Sequence, residues 1–89
     1  MSHEVTVTVR YWAAAKEASG LAEEQVSAVT LADVLADVRS RHADRPRFAQ
    51  VLRLCSVLVD GDPVGARDPA AVTLTAGARI EVLPPYAGG

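Results

Sequence analysis

Eighty-nine residues supply one domain, which excludes a plan of separate cofactor and substrate domains around a cleft. The hydrophobic fraction is 49%, but 16 of those residues are Ala, so the core is a modest one led by 13 Val and 8 Leu, and a chain this short buries only about 60–65% of its unfolded surface. A net charge of −2 argues against a dedicated nucleic-acid or anionic-membrane binder, and the lone Cys55 forbids an intrachain disulfide and fits a reducing compartment.

Met1 to Val5 carry no apolar signal region, and no apolar run approaches the ~18–20 residues that span a bilayer. The expectation is a soluble cytoplasmic protein without a membrane partner. Val5, Val7, Val9 and Tyr11 alternate with Thr6, Thr8 and Arg10, the two-residue period of a strand with one face on a core. Ala13 to Ser19 is rich in helix formers and stops at Gly20, a suitable left-handed cap, so a short helical turn separates this strand from the next. Glu23 to Val29 reads as a second strand. Thr30 and Asp33 form an acidic variant of the capping box, and Leu31, Val34, Leu35 and Val38 then recur at helical spacing. That helix ends near His42, with Asp37 and Arg41 spaced to pair on its wet side.

Beyond Ala43 the pattern loosens at Pro46, and Phe48, Val51 and Leu52 predict one short helical turn on the core. Ser56 to Asp60 reads as a buried strand, Asp60-Gly61-Asp62 as a hairpin turn and Pro63-Val64 as a brief return. Asp68-Pro69 and Gly77 punctuate the next stretch. Arg79 to Leu83 forms a last strand that Pro84-Pro85 must end, since neither proline can donate to a ladder. The element order gives an α+β domain over residues 1–83, one main helix across a mixed sheet, followed by an extended tail over 84–89.

A self-contained active site is not legible. There is no Gly-rich phosphate loop and no metal-spaced His/Cys set, so neither a metal nor a bound cofactor is expected. His3 lies on a terminus, His42 at a helix end, Cys55 before an apolar strand, and Asp60 and Asp62 flank a turn glycine; each reads as structural. Arg39, Arg41, Arg45, Arg47 and Arg53 against Asp44 make that stretch +4, leaving −6 for the rest of the chain. A solvated helix face is the plain reading, docking of an acidic partner the second, and a nucleic-acid patch the weakest for want of interleaved aromatics.

What remains is Leu83-Pro84-Pro85-Tyr86-Ala87-Gly88-Gly89. With glycine at about 7% of positions, a terminal pair arises by chance about 0.5% of the time. Two residues without Cβ thread a narrow channel, and the prolines stiffen the exit from the body. Six residues at ~3.3 Å each reach about 20 Å, enough to place a carboxylate deep inside another protein. A carboxylate is inert until activated, as by adenylation with ATP, after which a sulfur or amine nucleophile displaces AMP.

Val7-Thr8-Val9-Arg10-Tyr11-Trp12-Ala13 with Lys16-Glu17 and Gly20, then Val57-Leu58-Val59-Asp60-Gly61, then Ile80-Glu81-Val82-Leu83-Pro84-Pro85 with Gly88-Gly89, resemble the MoaD/ThiS sulfur carriers, and among them the molybdopterin synthase small subunits (MoaD). Thr75 to Arg79 and Tyr86-Ala87 depart from that pattern, the family more often having an acidic Gly-Asp-type turn and small or aliphatic residues there. The resemblance implies a β-grasp, ubiquitin-like fold with the last strand beside the first; the missing catalytic constellation leads to the expectation of no catalysis by this chain alone. It further implies that a MoeB-like adenylating enzyme uses ATP to activate Gly89, that a sulfur donor converts the adenylate to a thiocarboxylate, and that the tail inserts into the molybdopterin synthase large subunit to pass sulfur to a pyranopterin precursor. On that reading Gly89 reacts, Gly88 is its thin neighbour, and Pro84, Pro85, Tyr86 and Ala87 form the positioning stalk. A carrier for thiamin, cysteine or another metabolite, a ubiquitin-like modifier, and an interaction module with an idle tail stay open beside it.

Overall fold

The computed structural model describes residues 3–85. Strand β1 (Val5–Tyr11) forms where the β-branched alternation predicts it, with Val7, Val9 and Tyr11 buried and the intervening residues more open. The chain then turns sharply at Ala13, whose φ of 48° is left-handed, and enters helix α1 (Ala13–Ser19). Gly20 closes α1 at φ 79°, its N–H donating to the carbonyl of Lys16, a cap that favours a residue without Cβ.

Strand β2 (Glu23–Ala28) runs antiparallel to β1, with Val7 opposite Val26 and Val9 opposite Glu24. The capping box at Thr30 is complete: Oγ1 accepts from the Asp33 N–H at 3.3 Å, and the Asp33 carboxylate accepts from the Thr30 N–H at 3.1 Å. It starts helix α2 (Leu31–Arg41), which buries Leu31, Val34 and Val38 against the sheet, each such burial contributing about 1.5–3 kcal/mol. The short helical turn expected after Pro46 is helix α3 (Phe48–Leu54), two turns that bury Phe48 and Leu52 and pack on α1.

Strand β3 (Ser56–Val59) departs from its expectation. Its last three residues are half-buried rather than buried, because one face of the sheet is open and its outer neighbour β4 (Asp62–Pro63) is only two residues long. Asp60 (φ 51°) and Gly61 (φ 85°) make the tight hairpin between them, both residues taking the positive φ that this turn requires. A 3-10 turn at Pro69–Ala71, capped by the Asp68 carboxylate, stands where the sequence showed only punctuation.

Strand β5 (Arg79–Leu83) completes a five-stranded mixed sheet in the order β2-β1-β5-β3-β4. It lies parallel to β1 (Val9 opposite Ile80, Tyr11 opposite Val82) and antiparallel to β3 (Ser56 opposite Leu83). The expected α+β architecture, with the last strand beside the first and α2 as the main helix, is therefore the fold observed, and it is the ubiquitin-like β-grasp arrangement. No helix of the described residues is long and apolar enough to cross a membrane.

Candidate functional site

The residues expected to carry function begin where β5 ends. Ile80 and Val82 have no measurable exposure, and β5 is held on both sides, so the segment that follows leaves from the centre of the sheet rather than from an edge. Leu83 and Pro84 are half-buried and Pro85 is exposed. The two prolines end the ladder as expected. Tyr86, Ala87, Gly88 and Gly89 lie outside the described residues.

Trp12 stands beside this exit. Its backbone N–H donates to the carbonyl of Val82 at 3.1 Å, its indole N–H donates to Glu81 Oε1 at 3.3 Å, and the Arg10 guanidinium lies 4.5 Å from its ring centre. Trp12 is 38% exposed. A groove of about 540 Å³ runs from Arg10 and Trp12 past Lys16 to Gly20. On the other side, Cys55 precedes β3, whose Ser56 faces Leu83. The Cys55 thiol donates to the carbonyl of Val51 at 3.1 Å, and burial pushes its pKa up, which keeps it a thiol rather than a nucleophilic thiolate. It is half-buried and packed against the core, so the structural reading of Cys55 holds with less burial than a core residue would have.

His42 is also structural, though not through the helix end alone. It is 8% exposed, its Nε2 stands 2.7 Å from Glu24 Oε2, and its ring packs against Tyr11 and Phe48. Glu24 is the residue that sequence reasoning missed. Its carboxylate also accepts from the Tyr11 hydroxyl at 2.5 Å and from Arg41 Nη1 at 3.2 Å, while Arg41 pairs with Asp37 as expected and donates to the carbonyl of Gln25 at 2.8 Å. Burial raises the Glu24 pKa, but the hydrogen bonds from Tyr11, His42 and Arg41 more than offset it, so the group sits below the ordinary glutamate range. Burial and then the bond to Glu24 push the Tyr11 hydroxyl far up. The signal was present in the strand period, since Glu24 shares the inner face with Val26 and Ala28.

Asp60 and Asp62 are turn residues. Asp60 Oδ1 accepts from the Arg79 N–H at 2.9 Å, which pins the hairpin to β5. His3 is exposed. Among the described residues no group of three His, Cys, Asp or Glu side chains is gathered for a metal ion. Among the described residues the fold brings no general acid, base and nucleophile together near the end of β5. It offers there a strand end hydrogen-bonded to neighbours on both sides.

A model of the ThiS family matches residues 9–89. No curated protein matches the chain in sequence. Among solved structures, the chain is similar to small archaeal modifier protein 1 from Methanosarcina acetivorans (TM-score 0.80, 22% identity, 99% of this chain and 100% of that one). It is also similar to the HVO 2177 protein of Haloferax volcanii (TM-score 0.71, 28% identity, 97% and 88% covered). A third likeness is to a protein–protein complex of subunits 1 and 2 of molybdopterin-converting factor from Helicobacter pylori (TM-score 0.67, 22% identity, 96% and 100% covered). The family match runs from Val9 within β1 to the Gly-Gly ending, and by it this chain belongs to the ThiS family, one of the ThiS/MoaD-type sulfur carriers and ubiquitin-like proteins.

Proposed function

We propose that the chain is the sulfur-carrying small subunit of a molybdopterin synthase. The observation that carries the reading is a family member whose central strand β5 is followed in sequence by Pro84-Pro85 and then by Gly88-Gly89. A carboxylate oxygen of Gly89 attacks the α-phosphorus of ATP on a MoeB-like adenylating enzyme, and pyrophosphate leaves. Sulfide (HS⁻) supplied by a donor then attacks the acyl carbon, AMP leaves, and a thiocarboxylate remains. In the molybdopterin synthase large subunit the sulfur passes to a pyranopterin precursor. Pro84, Pro85, Tyr86, Ala87 and Gly88 position the reacting carbon, and this chain supplies reach and placement while its partners supply the catalytic groups. The likeness to a complex of subunits 1 and 2 of molybdopterin-converting factor supports this choice of partner.

The likeness to a small archaeal modifier protein, over the full length of both chains, favours one second reading, a ubiquitin-like modifier joined to target amines. Carriage of sulfur for thiamin, cysteine or another metabolite shares the first two steps. Intact-mass analysis after incubation with ATP, the activating enzyme and a sulfide source should show one oxygen replaced by sulfur, mapping by fragmentation to Gly89. Addition of the large subunit and precursor should return the carboxylate form. Modification at Cys55 instead, or stable attachment to protein lysines with no sulfur released, would exclude the proposal.

A further inference from the structure

Trp12 stands where β1, β5 and α1 meet, and the core does not use its side chain. Among the described residues it is one of three exposed large hydrophobics, and it has no place in the buried cluster. Packing does not explain a tryptophan left this open, so its polar and cation–π contacts carry the explanation.

Its backbone is fixed from two sides. The N–H donates to the Val82 carbonyl at 3.1 Å, extending the parallel pairing of β1 with β5 one residue past Tyr11. The carbonyl accepts from the Ala15 N–H at 3.0 Å, at the start of α1. Ala13 beside it holds a left-handed φ of 48°, a conformation that costs free energy in a residue with a Cβ and persists only where its neighbours impose it. The side chain is held as well. Its indole N–H donates to Glu81 Oε1 at 3.3 Å, and the Arg10 guanidinium covers the ring at 4.5 Å. In the register Arg10 stands between Glu81 on β5 and Glu23 on β2, yet among the described residues it forms an ion pair with neither, which leaves the Glu81 carboxylate to the indole.

We propose that Trp12 is a positioning residue for sulfur transfer, acting through Glu81 to hold the end of β5 in one orientation. The inference rests on the sulfur-carrier reading and adds a part to it. Trp12 ties two successive residues of β5, Glu81 by its side chain and Val82 by its backbone, immediately before Leu83 and the prolines. In the extended form that threading requires, six residues span ~20 Å, so a tilt of about 10° at their root moves the tip by about 3.5 Å. That is as large as the ~3–3.5 Å separation that productive attack requires. Trp12 acts on the strand and not on the reacting carbon, so its loss lowers the rate of transfer rather than the affinity for the partner.

The test is single-turnover transfer from the thiocarboxylate form to precursor on a molybdopterin synthase large subunit of varied concentration, together with amide hydrogen exchange of the free chain. Glu81→Ala, and Trp12→Phe, which keeps an aromatic ring but loses the N–H, should each lower the saturated rate about three- to tenfold and change half-saturation less than about twofold. The double variant should be no slower than either one, because both remove the same bond. Glu81→Gln keeps an acceptor and should stay within about twofold of wild type. In the free chain Glu81→Ala should speed exchange of the Trp12 amide at least about threefold and leave that of Tyr11 within about twofold. A higher half-saturation at unchanged maximal rate would make Trp12 a docking contact and overturn the proposal, as would additive losses in the double variant or unchanged exchange at Trp12. A wild-type chain that passes no sulfur refutes the carrier reading, whereas a wild type that transfers, with variants that match it, refutes this inference alone. Since Trp12→Phe and Glu81→Ala remove opposite ends of one bond, either decides the matter if the other fails to fold.

Discussion

Glu24 shows how one carboxylate can join three elements. Its oxygens take hydrogen bonds from β1 through Tyr11 and from the end of α2 through Arg41 and His42. Replacing it by Ala leaves a buried hydroxyl and imidazole without their acceptor, a loss of about 2–3 kcal/mol in urea unfolding. The pH dependence has a defined sign. Because the folded pKa is depressed, the contribution is complete above the ordinary glutamate pKa and is lost as pH falls through the folded value. Stability curves of the wild type and Glu24→Gln should therefore converge on the acid side and separate toward neutral pH. A gap that persists unchanged at acid pH would mean that Glu24 acts through packing alone. The sequence showed a polar residue at an inward strand position but not its partners, because Tyr11 and His42 are 13 and 18 residues away and meet it only through the register of β1 with β2 and the packing of α2 on β2.

At the scale of elements, local chemistry and tertiary packing divide the work. The start of α2 was legible because a cap is made within four residues, and Thr30→Ala should cost about 1 kcal/mol, with Thr30→Ser near neutral, both read from urea midpoints. The hairpin between β3 and β4 was legible for the same reason, since Asp60-Gly61 sets its own turn. The half-exposure of β3 was not, because apolar composition cannot report that the next strand is two residues long. Nor was the 3-10 turn at Pro69–Ala71, which is stabilised where the chain after it meets α2, Leu31 donating to the Val72 carbonyl at 3.0 Å. In the candidate site, the prolines announced where β5 ends, but which neighbours frame that end, Trp12 above all, depended on the parallel pairing of β1 with β5.

For the whole molecule, folding and proposed function separate along the chain. Among the described residues every buried core residue falls between Val7 and Val82, and changes at the far end are expected to leave the melting temperature within about 1–2 °C. Deleting Gly89, adding one residue after it, or making Gly88→Val should nonetheless abolish sulfur transfer. One residue displaces the reacting carbon by ~3.3 Å, and productive attack requires about 3–3.5 Å. A β-branched residue at 88 both thickens the thread and restricts φ. Melting curves and single-turnover transfer on the same three variants test this, and full activity in the extended chain would refute it.

The central place of β5 also governs how the molecule bears load. A partner that grips the segment beyond Pro85 pulls along the axis of a strand bonded on both sides, to β1 and to β3. Those hydrogen bonds run across the direction of pull, so they resist together, in shear, instead of opening one after another as they would if an edge strand were peeled away. Drawing the segment into a partner, as the proposed function requires, would therefore load the bonds to β1 and β3 together.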